Sequence, residues 1–137
     1  MMWVTNMEEI LRLNEKYSPV HAQECSELMD MLAGYDKLLV MEHAQKGIAA
    51  VGIWLTETDV TCGSMWCGYF NEEEVLDTFI TFAEERYVGK KLHVSARWDE
   101  SFVYDVLRYH DFIVDKVETA QDEDEEESEW ITCSKQL

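Results

Sequence analysis

The stretch VTCGSMWCGYFNEEEVLDTF (residues 60–79) changes its period part-way through. Val60 to Phe70 read as a strand, rich in β-branched and aromatic residues. Gly63 and Gly68 inside it signal a bulge or a close approach of another backbone. From Asn71 the apolar positions Val75, Leu76, Phe79, Ile80, Ala83 and Tyr87 follow helical spacing, which predicts a helix over 72–87. Asn71 stands at the N-cap and Glu74 at the capping-box position. Glu72, Glu73 and Glu74 complement the positive end of the helix dipole, so the helix start reads as satisfied from within.

Upstream, KLLVMEH (37–43) and IAAVGIWLT (48–56) are joined to each other and to this strand by short turns, which predicts an antiparallel meander. MWVT (2–5) is a further strand. Asn6 and Glu9 then open a helix with Met7, Ile10, Leu11, Asn14 and Tyr17 on one face. SPVHAQECSELMDMLAG (18–34) predicts a second helix, capped by Ser18, with Pro19 in its first turn and Gly34 at its end. Downstream, KLHVSARW (91–98) alternates, with His93, Ser95 and Arg97 opposite Leu92, Val94, Ala96 and Trp98. Asp99 caps a helix whose inward positions are Phe102, Val103, Val106 and Leu107. DFIVDKVET (111–119) and WITCS (130–134) are strands on either side of the acidic run DEDEEESE (122–129). The order is β-α-α-β-β-β-α-β-α-β-β. It predicts one α/β (α+β) domain over 1–137, with a mixed, mainly antiparallel sheet of about six to seven strands and about four helices.

Eleven Lys and Arg against 29 Asp and Glu give a formal net charge of −18. Such a surface repels nucleic acid and anionic membranes, and suits a cationic protein surface or a basic small molecule. No apolar run is long enough to span a bilayer and no secretory signal is visible, so the expectation is a soluble, cytoplasmic protein. Cys25, Cys62, Cys67 and Cys133 have no zinc-ligand spacing and read as free, buried thiols; no metal site is expected.

The order and lengths of these elements, with the local stretch VLRYHDF (106–112), resemble the GNAT (Gcn5-related N-acetyltransferase) superfamily fold. The resemblance implies acetyl-CoA bound where two central strands splay, its pyrophosphate on a basic, glycine-rich loop at the next helix. Here that place is held by YFNEEEVLDTF (69–79), with neither glycine nor basic residue, so the usual cofactor seat is expected to be lost. In the family's Tyr-x-x-x-Gly-Phe stretch the tyrosine protonates the leaving thiolate. Phe112 matches the phenylalanine, Leu107 stands in the tyrosine's place and Asp111 in the glycine's, with Tyr104 and Tyr109 nearby. For the general base the resemblance points to the start of the fourth strand, where Glu57 and Asp59 lie, and His93 is a further candidate. A surviving cleft would lie beside Trp66, Cys67, Gly68 and Tyr69. Its acidic rim would be Asp122, Glu123, Asp124, Glu125, Glu126, Glu127 and Glu129.

Two functions follow as expectations. The first is a GNAT-like acidic binding protein without standard acetyltransferase activity and without cofactor. It would engage or block a basic partner, as small acidic inhibitors of viral or mobile-element origin do by imitating nucleic-acid charge. The second is a divergent acyl-CoA-dependent N-acyltransferase acting on a basic amine. A homo-oligomer with Trp3, Trp54 or Trp130 at its interface is a third arrangement.

Overall fold

The computed structural model describes residues 2–4, 7–17, 30–31, 33–97, 101–121 and 127–137. Its elements are β1 (Met2–Val4), α1 (Met7–Lys16), β2 (Lys37–His43), β3 (Gly47–Leu55), β4 (Asp59–Trp66), α2 (Glu72–Arg86), β5 (Lys91–Arg97), α3 (Ser101–Tyr109), β6 (Ile113–Gln121) and β7 (Glu127–Gln136). The second helix expected over 18–34 lies largely outside the described residues; 30–31 and 33–34 are helical. The strands form one seven-stranded sheet in the order β1-β2-β3-β4-β5-β7-β6. Every neighbouring pair is antiparallel except β4 and β5.

The core lies on both faces of this sheet. On one face α2 buries Val75, Leu76, Phe79, Ile80 and Ala83 against Val51, Ile53, Val60, Leu92 and Ile131. The α3 residues Val103 and Leu107 complete that cluster. On the other face Leu13 of α1 and Tyr17, just after it, pack on Leu38, Val40, Ile48 and Ala50. Leu11, expected inside, is half exposed. The packed stripe of α1 runs through Leu13 and Tyr17, one turn apart, which carries Leu11 round to solvent. The side chains of Met7, Ile10 and Asn14 lie outside the described residues.

Two boundaries differ from the sequence reading for local reasons. β4 ends at Trp66 rather than Phe70, because the chain turns there. Gly68 takes a positive φ of 55°, and the Phe70 amide donates to the Cys67 carbonyl at 2.9 Å. Gly68 is therefore a turn residue, whereas Gly63 lies inside the strand. β7 begins at Glu127, so part of the acidic run is strand, with Glu129 opposite Thr119 and Ser128 opposite Ala120. Residues 122–126 lie outside the described residues. Cross-strand pairing here overrides the low strand propensity of glutamate.

Candidate functional site

β4 pairs with β3 as far as Trp66, and β5 pairs with β7 as far as Arg97. With each other they pair only at Asp59–Lys91, Val60–Leu92 and Thr61–His93. Beyond that point the two strands part. The cause is in β4: Cys62 stands opposite Ile53 and Ser64 opposite Gly52, which leaves Gly63 as an extra, bulged residue. A bulge bends its strand and adds local twist, here turning residues 64–66 off the line of β5. The sheet is forked, and both strands of the fork turn backbone edges towards the gap.

The apex of the fork carries a titratable pair. His93 is the last β5 residue paired to β4, and Asp59 lies two residues before its partner Thr61, on the same face. His93 Nε2 lies 2.6 Å from Asp59 Oδ1. A carboxylate only accepts, so Nε2 carries the shared proton, and in the neutral ring Nδ1 is then the acceptor. The Thr58 hydroxyl also donates to Asp59, and this bond and then the one from His93 hold the Asp59 carboxyl below its usual value. The His93 side chain is 28% exposed, open enough to meet a solute. Two residues further along the same face, Ser95 Oγ lies 3.4 Å from Thr132 Oγ1.

The far end of β4 leads into α2, where carboxylates gather. A groove of about 560 Å³ runs between α2 and α3. Glu73, Glu74 and Asp77 line it from α2, Asp105 and Tyr109 from α3. Asn71 occupies the N-cap with extended backbone, and its carbonyl accepts from the Val75 amide at 3.1 Å. Its side chain makes no cap hydrogen bond, so the expected internal capping is not formed. Glu74 is drawn away instead, to Lys46 Nζ at 3.0 Å, and that ammonium also stands 5.4 Å from the centre of the Phe70 ring. One long side chain of the β2–β3 turn thus outcompetes the capping box.

No protein-family model matches this sequence, and no curated protein matches it. Its shape, by contrast, matches solved acetyltransferases. The ribosomal-protein-S18-alanine N-acetyltransferase of Escherichia coli superposes with a TM-score of 0.63 at 10% identity, over 97% of this chain and 91% of that one. The ribosomal-protein-alanine N-acetyltransferase of Brucella melitensis gives 0.63 at 13% identity over 100% of both chains. The yncA protein of Salmonella typhimurium, solved with its cofactor acetyl-CoA, gives 0.63 at 14%, over 99% and 92%. The chain has the GNAT fold.

Within that fold the stretch 106–112 acquires a structural meaning. Asp111 has a positive φ of 64°, the left-handed conformation that favours glycine. The Phe112 amide donates to the Leu107 carbonyl and the Asp111 amide to that of Arg108, both at 3.0 Å, the two bonds of a Schellman helix end. Asp111 thus closes α3 in a conformation that glycine adopts most easily, and Leu107 lies one turn before it. Leu107 is buried in the core and has no proton to give. Tyr104 is half buried with the Arg108 guanidinium over its ring, and Tyr109 is 81% exposed beside the groove. Neither stands at the apex.

The other sequence candidates are dispersed. Glu57 is exposed in the β3–β4 turn, outside the Asp59–His93 pair. Trp66 packs against the α1-side cluster, Cys67 against the α2 side, and Tyr69 is 64% exposed after the Gly68 turn. Glu129 is exposed on β7. No thiol is poised as a nucleophile among the described cysteines. Burial pushes Cys62 up to about 12, burial and the Glu72 charge push Cys67 up to about 11, and burial and Asp115 push Cys133 up to about 11. Sequence reading missed the side-chain tie that holds α3 to α2. His110 Nε2 lies 2.6 Å from Asp77 Oδ1 and Nδ1 lies 2.8 Å from Glu84 Oε1, with Lys135 3.1 Å from the same carboxylate.

An acyl-CoA fits this chain unevenly. The strand edges along the gap offer N–H and C=O groups to an extended, amide-bearing pantetheine arm, as a missing strand would meet them. The start of α2 does not match the usual pyrophosphate seat. Glycine and basic residues are replaced there by Glu72, Glu73 and Glu74, and Lys46 is engaged by Glu74.

Proposed function

We propose that this chain is an N-acyltransferase that draws its acyl group from a CoA thioester and passes it to a basic amine. The observation that carries the reading is the forked β4–β5 pair with the Asp59–His93 couple at its apex. The thioester supplies the electrophilic carbonyl. The amine nitrogen attacks that carbonyl, the C–S bond breaks, and the CoA thiolate leaves and takes a proton from solvent; the chain's own residues prepare the amine. His93 Nδ1 takes the proton of an ammonium group, which reaches the site charged and unreactive, and Asp59 holds the ring in the accepting tautomer and steadies it once charged. The net charge of −18 favours the approach of a cationic acceptor such as a polyamine or a lysine side chain.

The carboxylate-lined groove supports a second reading, a GNAT scaffold that binds a cationic partner without catalysis. Acetyl-CoA incubated with a panel of amines, with release of free CoA thiol followed, separates the two. Amine-dependent release that is lost in His93→Ala supports the transferase. A folded protein that releases no thiol at millimolar donor and acceptor supports the scaffold.

A further inference from the structure

Tyr35 lies between the helical residues 33–34 and β2, and its amide donates to the Met31 carbonyl at 3.2 Å. Its ring spreads across Gly52 of β3 and Gly63 of β4, and a Cβ at either glycine would fall inside the ring's van der Waals surface. These are the two glycines of the bulge. Gly63 is the extra residue, and Gly52 stands opposite Ser64, the next residue along β4. Trp54 packs against the ring with centroids 4.8 Å apart and planes tilted by 49°. Trp54 is itself tied back to the same segment, its indole N–H donating to the Gly34 carbonyl at 3.3 Å. Asp36, the next residue along, bonds β3 twice. Its amide donates to the Ile53 carbonyl at 3.0 Å, and its carboxylate accepts from the Leu55 amide at 2.8 Å. The ring is thus pinned on both sides of the place where β4 leaves its regular register.

We propose that Tyr35 is a positioning residue for the fork: its ring, seated on Gly52 and Gly63, holds the β4 bulge in place and with it the opening between β4 and β5. A bulged strand has a competing regular register one residue away, and a slip would exchange the faces of Ser64, Met65 and Trp66. Trp66 now belongs to the α1-side cluster and Met65 to the α2 side, so the slip would bury each on the wrong face. The flat ring admits glycine alone beneath it, which marks one register as the right one. The phenolic oxygen plays no part in this lock.

The test is hydrogen exchange along β4 in a set of variants, with acetyl-CoA affinity measured on each. Tyr35→Phe should exchange like the wild type and bind equally well. Tyr35→Ala should speed exchange at residues 62–66 by at least about tenfold, with α2 unchanged, because the opening is local. Gly63→Ala alone should do the same. Combined with Tyr35→Ala it should do less than the sum, since the new methyl occupies the space the ring has left. Tyr35→Leu, which keeps apolar volume but not the flat shape, serves if the alanine variant does not fold. Unchanged exchange at 62–66 in the alanine or leucine variant, additive effects in the double variant, or failure of phenylalanine to rescue would overturn the assignment. The consequence for donor binding rests on the acyltransferase reading, with about a tenfold loss of acetyl-CoA affinity expected for Tyr35→Ala. If the wild type binds no acetyl-CoA, that reading fails, while the exchange data still decide the role of Tyr35.

Discussion

The two ends of β4 are built differently. At its first residues β4 is paired to β5, and Asp59 and His93 form a close pair that suits a proton acceptor. At its last residues β4 has left β5 and runs into a helix whose first turn is Glu72, Glu73 and Glu74, beside a groove lined by four carboxylates. One strand therefore carries a hydrogen-bonded aspartate–histidine couple at its start and leads into a carboxylate-rich helix start at its end. The fork comes from a glycine bulge in the backbone, whereas the carboxylates at the start of α2 stand on side chains that can change without disturbing the sheet.

The sharpest way to break the contrast is at the apex. His93→Ala should lower kcat/KM for amine acylation by about 10²- to 10³-fold, within the usual range for a lost general base. Its melting temperature should change little, since the side chain is partly exposed. An unchanged rate would move the chemistry elsewhere. At the other end, His110→Ala should cost about 2 kcal/mol in denaturant unfolding, because its bonds to two carboxylates tie α3 to α2 and its side chain is only 10% exposed. If α3 holds without it, the groove owes its shape to the apolar core alone. Glu72→Lys with Glu73→Lys should tighten acetyl-CoA binding by roughly tenfold at low salt, with the gain fading as salt rises. No gain would mean that the donor's phosphates do not approach the start of α2.

The smallest effect is one of pH. Hydrogen bonds from Thr58 and His93 hold the Asp59 carboxyl below its ordinary 3.8. A depressed carboxyl contributes stability that is complete above the unfolded value and lost as pH falls through the folded one. The wild type should therefore shed stability on acidification below pH 3.8 that Asp59→Asn does not shed, as followed by thermal melting. Parallel melting of the two proteins would mean that these bonds add nothing to the fold.

Much of this architecture is legible in the chain. The change of period at Asn71, the short turns of the meander and the alternation of KLHVSAR place every strand and all three described helices to within a few residues. Gly63 announced the bulge, because a glycine inside an apolar strand has few other uses. The site was harder to read. His93 and Asp59 are 34 residues apart, and only the parallel pairing of β4 with β5 brings them together. The reach of Lys46 to Glu74, which empties the capping box at α2, likewise depends on a turn 28 residues upstream. Tyr35 gave no signal, since its meaning lies in two glycines on other strands.

The central claim is that the fork holds an acyl thioester despite the carboxylates beside it, and calorimetric titration of acetyl-CoA across a salt series tests it most directly. The account predicts saturable, roughly micromolar binding that holds or tightens as salt rises, because screening relieves repulsion at α2. No heat of binding up to millimolar acetyl-CoA at any salt, from protein that melts cooperatively, would contradict it.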